Sequence, residues 1–348
     1  MTYKSFLSRI RRENISSFYL FEGEEEYLKK EVLCKLKEKL ISGNEDFNYR
    51  VLNASYHKGR EILESACQLP FNSKWQLLVV EEAEKLTGND ERQVMNYLKK
   101  PVDSTCMVLT GNNFNKQSNL YSFFKKNDKI VSFYPLSEVQ IVEWIKEKVR
   151  EGGKDIGDEA AFELYRRTGK DLFLLQGEID KLLSFVHPHK FIEESDIAKL
   201  TGEKSRESIF DFLKAFKEKK LSRTLYILER MLSRGEEPLM VSSMLAREVR
   251  ILLLLKLSRK ELTPLEACSY IFKTRRKYTG FFLEKASEYI NASKKFTLPQ
   301  LLFAQQKMLD VELSIKSGKE KADIAIEKVV ISILSFPLKT FESSFLTL

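Results

Sequence analysis

Short apolar runs set between amphipathic stretches dominate the first third of the chain. Phe18-Tyr19-Leu20-Phe21 predicts a strand closed by Glu22-Gly23, and an amphipathic helix follows from about Glu25 to Leu40. Tyr49-Arg50-Val51-Leu52 predicts a second strand, followed by a helix from about Gly59 to Cys67 that stops before Pro70. Leu77-Leu78-Val79-Val80 is uninterrupted and apolar, as a strand buried on both faces of a parallel sheet should be. Cys106 to Thr110 repeats that pattern, and Lys129 to Phe133 makes a fifth strand. Strands separated by helical stretches predict a doubly wound α/β domain ending near Tyr134-Pro135.

Beyond Pro135 the pattern turns helical and no further strand is predicted. Ser137 is placed to cap a helix whose Ile141, Val142, Ile145 and Val149 share one face, and Gly152-Gly153 breaks it. Asp158 opens the next helix, a third spans about Asp171 to Val186, and Ser195-Asp196-Ile197 begins one more. From Ser208 onward the chain reads as amphipathic helices separated near Gly235, Thr263-Pro264, Asn291 and Gly318. The expected division is therefore 1–136 α/β, 137–205 a small helical domain, and 206–348 a separate all-helical domain.

Composition fits a folded, helix-rich protein: of 348 residues 43% are hydrophobic and 31% charged, with only 14 Gly and 8 Pro, which argues against disorder or a fibrous repeat. The formal charge of +8 is uneven, because Lys204 to Lys285 carries 19 Lys and Arg against 10 Asp and Glu. Such a block suits a polyanion, and equally a lysine-rich helical surface. Cys34, Cys67, Cys106 and Cys268 are far apart without a CxxC pair, so reduced core thiols in a cytoplasmic protein are expected. Met1 to Glu13 is too charged for a secretory signal, and the longest aliphatic run, Ile251 to Leu255, is far short of a membrane span.

An α/β domain followed by a small helical one raises the question of a nucleotide site. A phosphate loop reads GxxxxGK[ST]: its glycines let backbone N–H groups cradle phosphates, its Lys pairs with them and its hydroxyl holds magnesium. The corresponding place reads Gly23-Glu24-Glu25-Glu26-Tyr27-Leu28-Lys29-Lys30. Leu28 replaces the second glycine and Lys30 the hydroxyl, while three carboxylates at a helix amino end would repel a triphosphate. Leu77 to Ala83 has the form of an apolar strand ending in acids, with Glu81 where an Asp usually holds magnesium, and Thr110 and Asn112 fall where related ATPases place a polar sensor or simply in a polar turn. His57, His187 and His189 suggest no triad or metal centre, and HExxH, GxSxG and dinucleotide fingerprints are missing. No catalytic, cofactor-binding or metal-binding group is expected.

Several segments together resemble the delta subunits of bacterial DNA polymerase III clamp loaders, an AAA+-related family. Phe18 to Glu31 is similar to their amino-terminal signature with its degenerate phosphate loop, as is Leu69-Pro70-Phe71 just before the strand at Leu77. Thr168 to Leu172 with Glu178 to Leu182 resembles their second-domain motif; Ser208 to Asp211, Ala215-Phe216, Gly235 to Leu239 and Leu245 to Glu248 resemble third-domain motifs. Active relatives carry a sensing Arg where this chain has Phe173, and a Ser-Arg-Cys finger where it has Lys126 to Lys129.

The resemblance implies a degenerate AAA+ module, an α/β domain with a helical lid, followed by a helical collar that assembles a ring of subunits. It implies a subunit without ATPase activity that grips and opens the sliding clamp (the beta subunit), beside gamma/tau and delta prime subunits and primed template DNA, within a DNA-directed DNA polymerase holoenzyme. By local sequence alone Phe71 reads as core; by resemblance Leu69, Pro70 and Phe71 form the clamp-contacting tip, with Trp75 in the core. Lys273, Arg275, Arg276 and Lys277 fit template DNA or a solvated loop. An active loader ATPase of the same architecture, and a helical scaffold or RNA-binding adaptor, are the competing functions.

Overall fold

A computed structural model of the chain describes residues 1–41, 45–200, 209–258, 261–272, 278 and 280–336. In the unit Met1–Pro135, β1 (Phe18–Glu22), β2 (Tyr49–Asn53), β3 (Gln76–Glu81), β4 (Thr105–Gly111) and β5 (Ile130–Ser132) form one sheet. The strands are parallel in the order β2-β3-β4-β1-β5, the doubly wound arrangement expected of an AAA+-related module. The order follows from burial. Every residue of β4 is buried and β3 is buried at its first five positions, whereas β2, with Val51 exposed, lies at the edge.

Helices α1 (Tyr3–Arg11), α2 (Glu26–Leu40), α3 (Glu45–Asn48), α4 (Gly59–Ala66), α5 (Gly88–Lys99) and α6 (Asn119–Lys126) complete this unit. Alternation along the strands sorts the faces: Leu78, Val80, Met107 and Leu109 pack with Ile62, Val94 and Phe124 of α4, α5 and α6. On the opposite face Phe6 of α1 meets Tyr19 and Phe21 edge-on at 4.6 and 5.4 Å. Trp75, expected in the core, is only partly buried, because it precedes β3 instead of lying within it.

The unit Leu136–Leu348 begins with α7 (Glu138–Glu151), α8 (Asp158–Thr168), α9 (Leu172–Phe185) and α10 (Glu194–Leu200). Strands do not stop at Pro135: β6 (Asp155–Ile156) and β7 (Phe191–Ile192) pair in parallel, each too short for periodicity to reveal. Ser137 takes the N-cap of α7, its N–H donating to Gln140 Oε1 at 2.9 Å, and Asp171 caps α9 through the N–H groups of Phe173 and Leu174.

Next come α11 (Ile209–Lys217), α12 (Leu221–Ser233), α13 (Pro238–Leu257), α14 (Pro264–Phe272), α15 (Gly280–Lys294), α16 (Leu298–Lys316) and α17 (Ala322–Leu334). The break expected near Asn291 is absent, since α15 runs through that residue; the interruption lies at Phe296, before the Thr297 cap and Pro299 that start α16. Phe212, Phe216, Leu245, Leu252, Leu301 and Met308 share one core. Arg166 of α8 pairs with Asp211 of α11 at 2.6 Å and Arg247 of α13 with Glu138 of α7 at 2.9 Å, so salt bridges tie the first helices of this unit to the later ones. Cys106 and Cys268 are buried as expected, but Cys34 and Cys67 are exposed, one on the outer face of α2 and the other just past α4. Among the described residues no helix is long and apolar enough to cross a membrane.

Candidate functional site

Two places in the first unit are candidates for function, at opposite ends of the same sheet. The segment expected to be a degenerate phosphate loop follows the carboxyl end of β1. Gly23 has φ +123°, and a Cβ there would lie 2.1 Å from the Phe133 carbonyl oxygen. The glycine is thus required by the backbone of Phe133, which also accepts from Glu25 N–H at 3.0 Å. Leu28, in place of the second glycine, is wholly buried under the sheet, while Lys30 and Glu24 are exposed. Glu25 is the N-cap of α2 without a side-chain cap bond, and Glu26 opens the first turn.

Lys29 holds the position of the phosphate-binding lysine, yet its side chain is turned inward and buried. Its Nζ donates to Glu26 Oε1 at 2.7 Å, to Asn112 Oδ1 at 2.8 Å and to the Gly111 carbonyl at 3.2 Å. Asn112, the sensor position, therefore faces this lysine. An ammonium needs three acceptors when it leaves water, and these supply them. Nearby, Glu22 at the end of β1 is buried and accepts from Ser132 Oγ, Tyr121 OH and Tyr134 OH at 3.0, 3.1 and 3.3 Å. Burial, with the Glu22 charge adding to it, pushes the Tyr121 hydroxyl up to about 12. Glu81 is exposed at the end of β3, and Glu82, at φ +53°, takes Ser55 Oγ and Lys85 Nζ.

The second place is the irregular segment between α4 and β3. Leu69 and Phe71 stand 81% and 61% exposed, with Pro70 partly buried between them, so Phe71 is not a core residue. The backbone beneath is fixed by polar side chains at the amino ends of three adjacent strands. Asn48, just before β2 and 1% exposed, donates from Nδ2 to the Phe71 carbonyl at 2.8 Å and accepts from Phe71 N–H at 2.7 Å. Gln76, first in β3, donates to Gln68 O at 2.5 Å and Ala66 O at 3.2 Å, and Thr105, first in β4, donates to Ala66 O at 2.8 Å. Phe47, itself exposed, packs its ring against Phe71 at 5.2 Å.

Sequence reasoning singled out Leu69, Pro70 and Phe71 but missed Asn48, Gln76, Thr105 and Phe47. The available signal was a polar residue leading each of three apolar strands, which by itself reads as an ordinary strand end. Phe173, at the sensing-Arg position, is exposed in the first turn of α9. In the stretch at the finger position Asp128 pairs with Arg9 at 3.2 Å. Lys273, Arg275, Arg276 and Lys277 lie outside the described residues. Among the described residues no His, Cys, Asp and Glu side chains are grouped to hold a metal.

The family model described as "DNA polymerase III, delta subunit" matches residues 19–134, and that described as "DNA polymerase III delta subunit, C-terminal domain" matches residues 206–333. The DNA polymerase III subunit delta of Bacillus subtilis (strain 168) is 20% identical over 336 residues, covering 93% of this chain and 95% of the relative. That of Buchnera aphidicola is 24% identical over 340 residues, covering 90% and 93%. The solved Bacillus subtilis DNA clamp loader delta protein superposes with a TM-score of 0.53 at 19% identity over 96% of this chain and 99% of its own, which establishes a shared fold. With both ends of the chain matched by models of one family and relatives aligned along nearly its full length, the chain belongs to the DNA polymerase III delta subunit family.

Proposed function

We propose that the chain is the non-hydrolysing, clamp-opening member of its loader, and that Leu69, Pro70 and Phe71 are its contact with the sliding clamp. The observation that carries this is an apolar pair left in water on a segment whose backbone buried side chains hold still. Exposed apolar groups on a fixed frame lose little conformational freedom on docking, so more of their burial reaches the binding free energy. Such a tip favours an open ring only by binding it more tightly than the closed one. ATP would then act through hydrolysing neighbours of the gamma/tau type, with delta prime completing the ring and residues 206–348 serving as the collar. The inward-turned Lys29 and the buried Leu28 support the lack of nucleotide chemistry here, since neither a free ammonium nor a second glycine is left for phosphates.

The test is clamp affinity of the purified chain with Leu69→Ala and Phe71→Ala, singly and together. Full burial of one such side chain stabilises by about 2 kcal/mol, and the exposed shares of these two leave roughly 1.5 kcal/mol each to be gained. The double variant should therefore bind about a hundredfold more weakly, at unchanged thermal stability because both groups are already in water. Clamp affinity within twofold of wild type in the double variant, or ATP hydrolysis by the chain alone, would refute the proposal.

A further inference from the structure

We infer that the clamp-docking surface is built from two chain segments: Phe47 is a further contact residue, and the buried Asn48 is the positioning residue that sets Phe71. The inference rests on the clamp-binding reading of Leu69 to Phe71 and extends it to residues that precede β2. Three observations carry it. The Phe47 ring is 59% exposed and lies 5.2 Å from that of Phe71 at 46° between planes, so the two rings form one continuous apolar surface. The Asn48 carboxamide bonds both the N–H and the carbonyl of Phe71, the pattern a neighbouring strand would provide, although Phe71 belongs to no strand. Asn48 also immediately precedes β2, the strand next in the sheet to β3, whose Gln76 holds Gln68.

The tip is thus fastened at Gln68 and again at Phe71, with Leu69 and Pro70 bridging the two anchors. Fixing the backbone at both ends restricts where the Phe71 ring points before docking. A partner pocket that accepts this surface must be apolar and wide enough for two aromatic rings and one leucine. A pocket for a single ring would leave Phe47 indifferent to binding. Aromatic side chains that pack on one another at an interface centre commonly dominate its energy.

The experiment measures clamp affinity for the full chain as wild type, Phe47→Ala, Asn48→Ala, Phe71→Ala and Asn48→Ala/Phe71→Ala. Phe47→Ala should weaken binding about five- to tenfold, the scale of one half-exposed ring going into a pocket, without lowering the melting temperature. Asn48→Ala should weaken it by a similar factor. If Asn48 works through Phe71, adding Asn48→Ala to Phe71→Ala should cost no more than about a further twofold, because there is no ring left to aim. A purely structural Asn48 would give no such coupling. Wild-type affinity in Phe47→Ala, or full additivity in the double variant, would overturn the inference while weak binding by Phe71→Ala kept the tip assignment intact. Should Asn48→Ala not fold, Phe47→Ala alone decides. Wild-type binding by Phe71→Ala and Leu69→Ala would instead remove the reading on which the inference rests.

Discussion

Removing the half-exposed Glu26 should destabilise the chain more than removing the buried Lys29. Lys29 donates three hydrogen bonds, of which the one to Glu26 joins opposite charges at 2.7 Å. A hydrogen bond to a charged group contributes about 1.5–3 kcal/mol net, but burying an ammonium costs several kcal/mol. Lys29→Met removes both sides of that balance and keeps most of the packing, for a net loss of about 1 kcal/mol or less. The groups left behind are not stranded: Gly111 O still accepts from Gly23 N–H at 3.2 Å, and the Glu26 side chain, 53% exposed, returns to water. Glu26→Ala leaves the ammonium inside with two neutral acceptors and takes an acid from the first turn of α2. Breaking a fully buried pair this way costs 3–5 kcal/mol; the exposure of Glu26 reduces that to about 2 kcal/mol. Guanidinium unfolding at pH 7 reads both as shifts in midpoint at constant slope. Lys29→Met more destabilising than Glu26→Ala would refute the claim that desolvation offsets the lysine's bonds.

Two further outcomes follow from the same geometry. Gly23→Ala should cost about 3 kcal/mol, through the left-handed backbone and the contact with the Phe133 carbonyl, in protein that has met no nucleotide; stability within 0.5 kcal/mol of wild type would contradict a packing role for this glycine. In the second unit burial works against the charge of Glu163, and hydrogen bonds from Arg166 and Arg167 outweigh it, holding the carboxyl below its usual 4.5. A depressed folded-state value contributes stability above pH 4.5 that is lost as pH falls through the folded value, so Glu163→Gln should flatten the acid limb of stability against pH. An acid limb as steep as wild type would count against it.

What the sequence revealed depended on length and period. The five strands of the first unit were legible because each is an apolar run of several residues between turns, and the observed ends differ by one residue or so. β6 and β7 were not, because two residues have no period, and the helix break near Asn291 was misplaced because a single Asn is tolerated inside α15. At the site, the replacements at Leu28 and Lys30 could be read directly, as could an apolar pair beside a proline. The partners of Lys29 could not: Asn112 and Gly111 are more than 80 residues away and reach it only through the pairing of β1 with β4. Asn48 was invisible for the same reason, being 23 residues from Phe71.

On the proposed reading, the two ends of one sheet divide the work of the first unit. In doubly wound parallel sheets ligands bind beyond the carboxyl ends of the strands, where loops diverge and helices start. Here those ends are occupied from within. Glu22 takes three hydroxyls at the end of β1, Lys29 closes onto Gly111 and Asn112 at the end of β4, and Gly23 lies against the backbone of Phe133. Paired in this way, the Lys29 ammonium is held on protein acceptors. At the amino ends Asn48, Gln76 and Thr105 hold a short irregular segment against β2, β3 and β4 so that its apolar side chains face outward. A parallel sheet fixes the spacing of neighbouring strand ends at about 4.8 Å, which is why three consecutive strand starts can serve as a mount. Rigidity that in an ATPase positions a nucleotide at one edge is equally available to position a protein contact at the other.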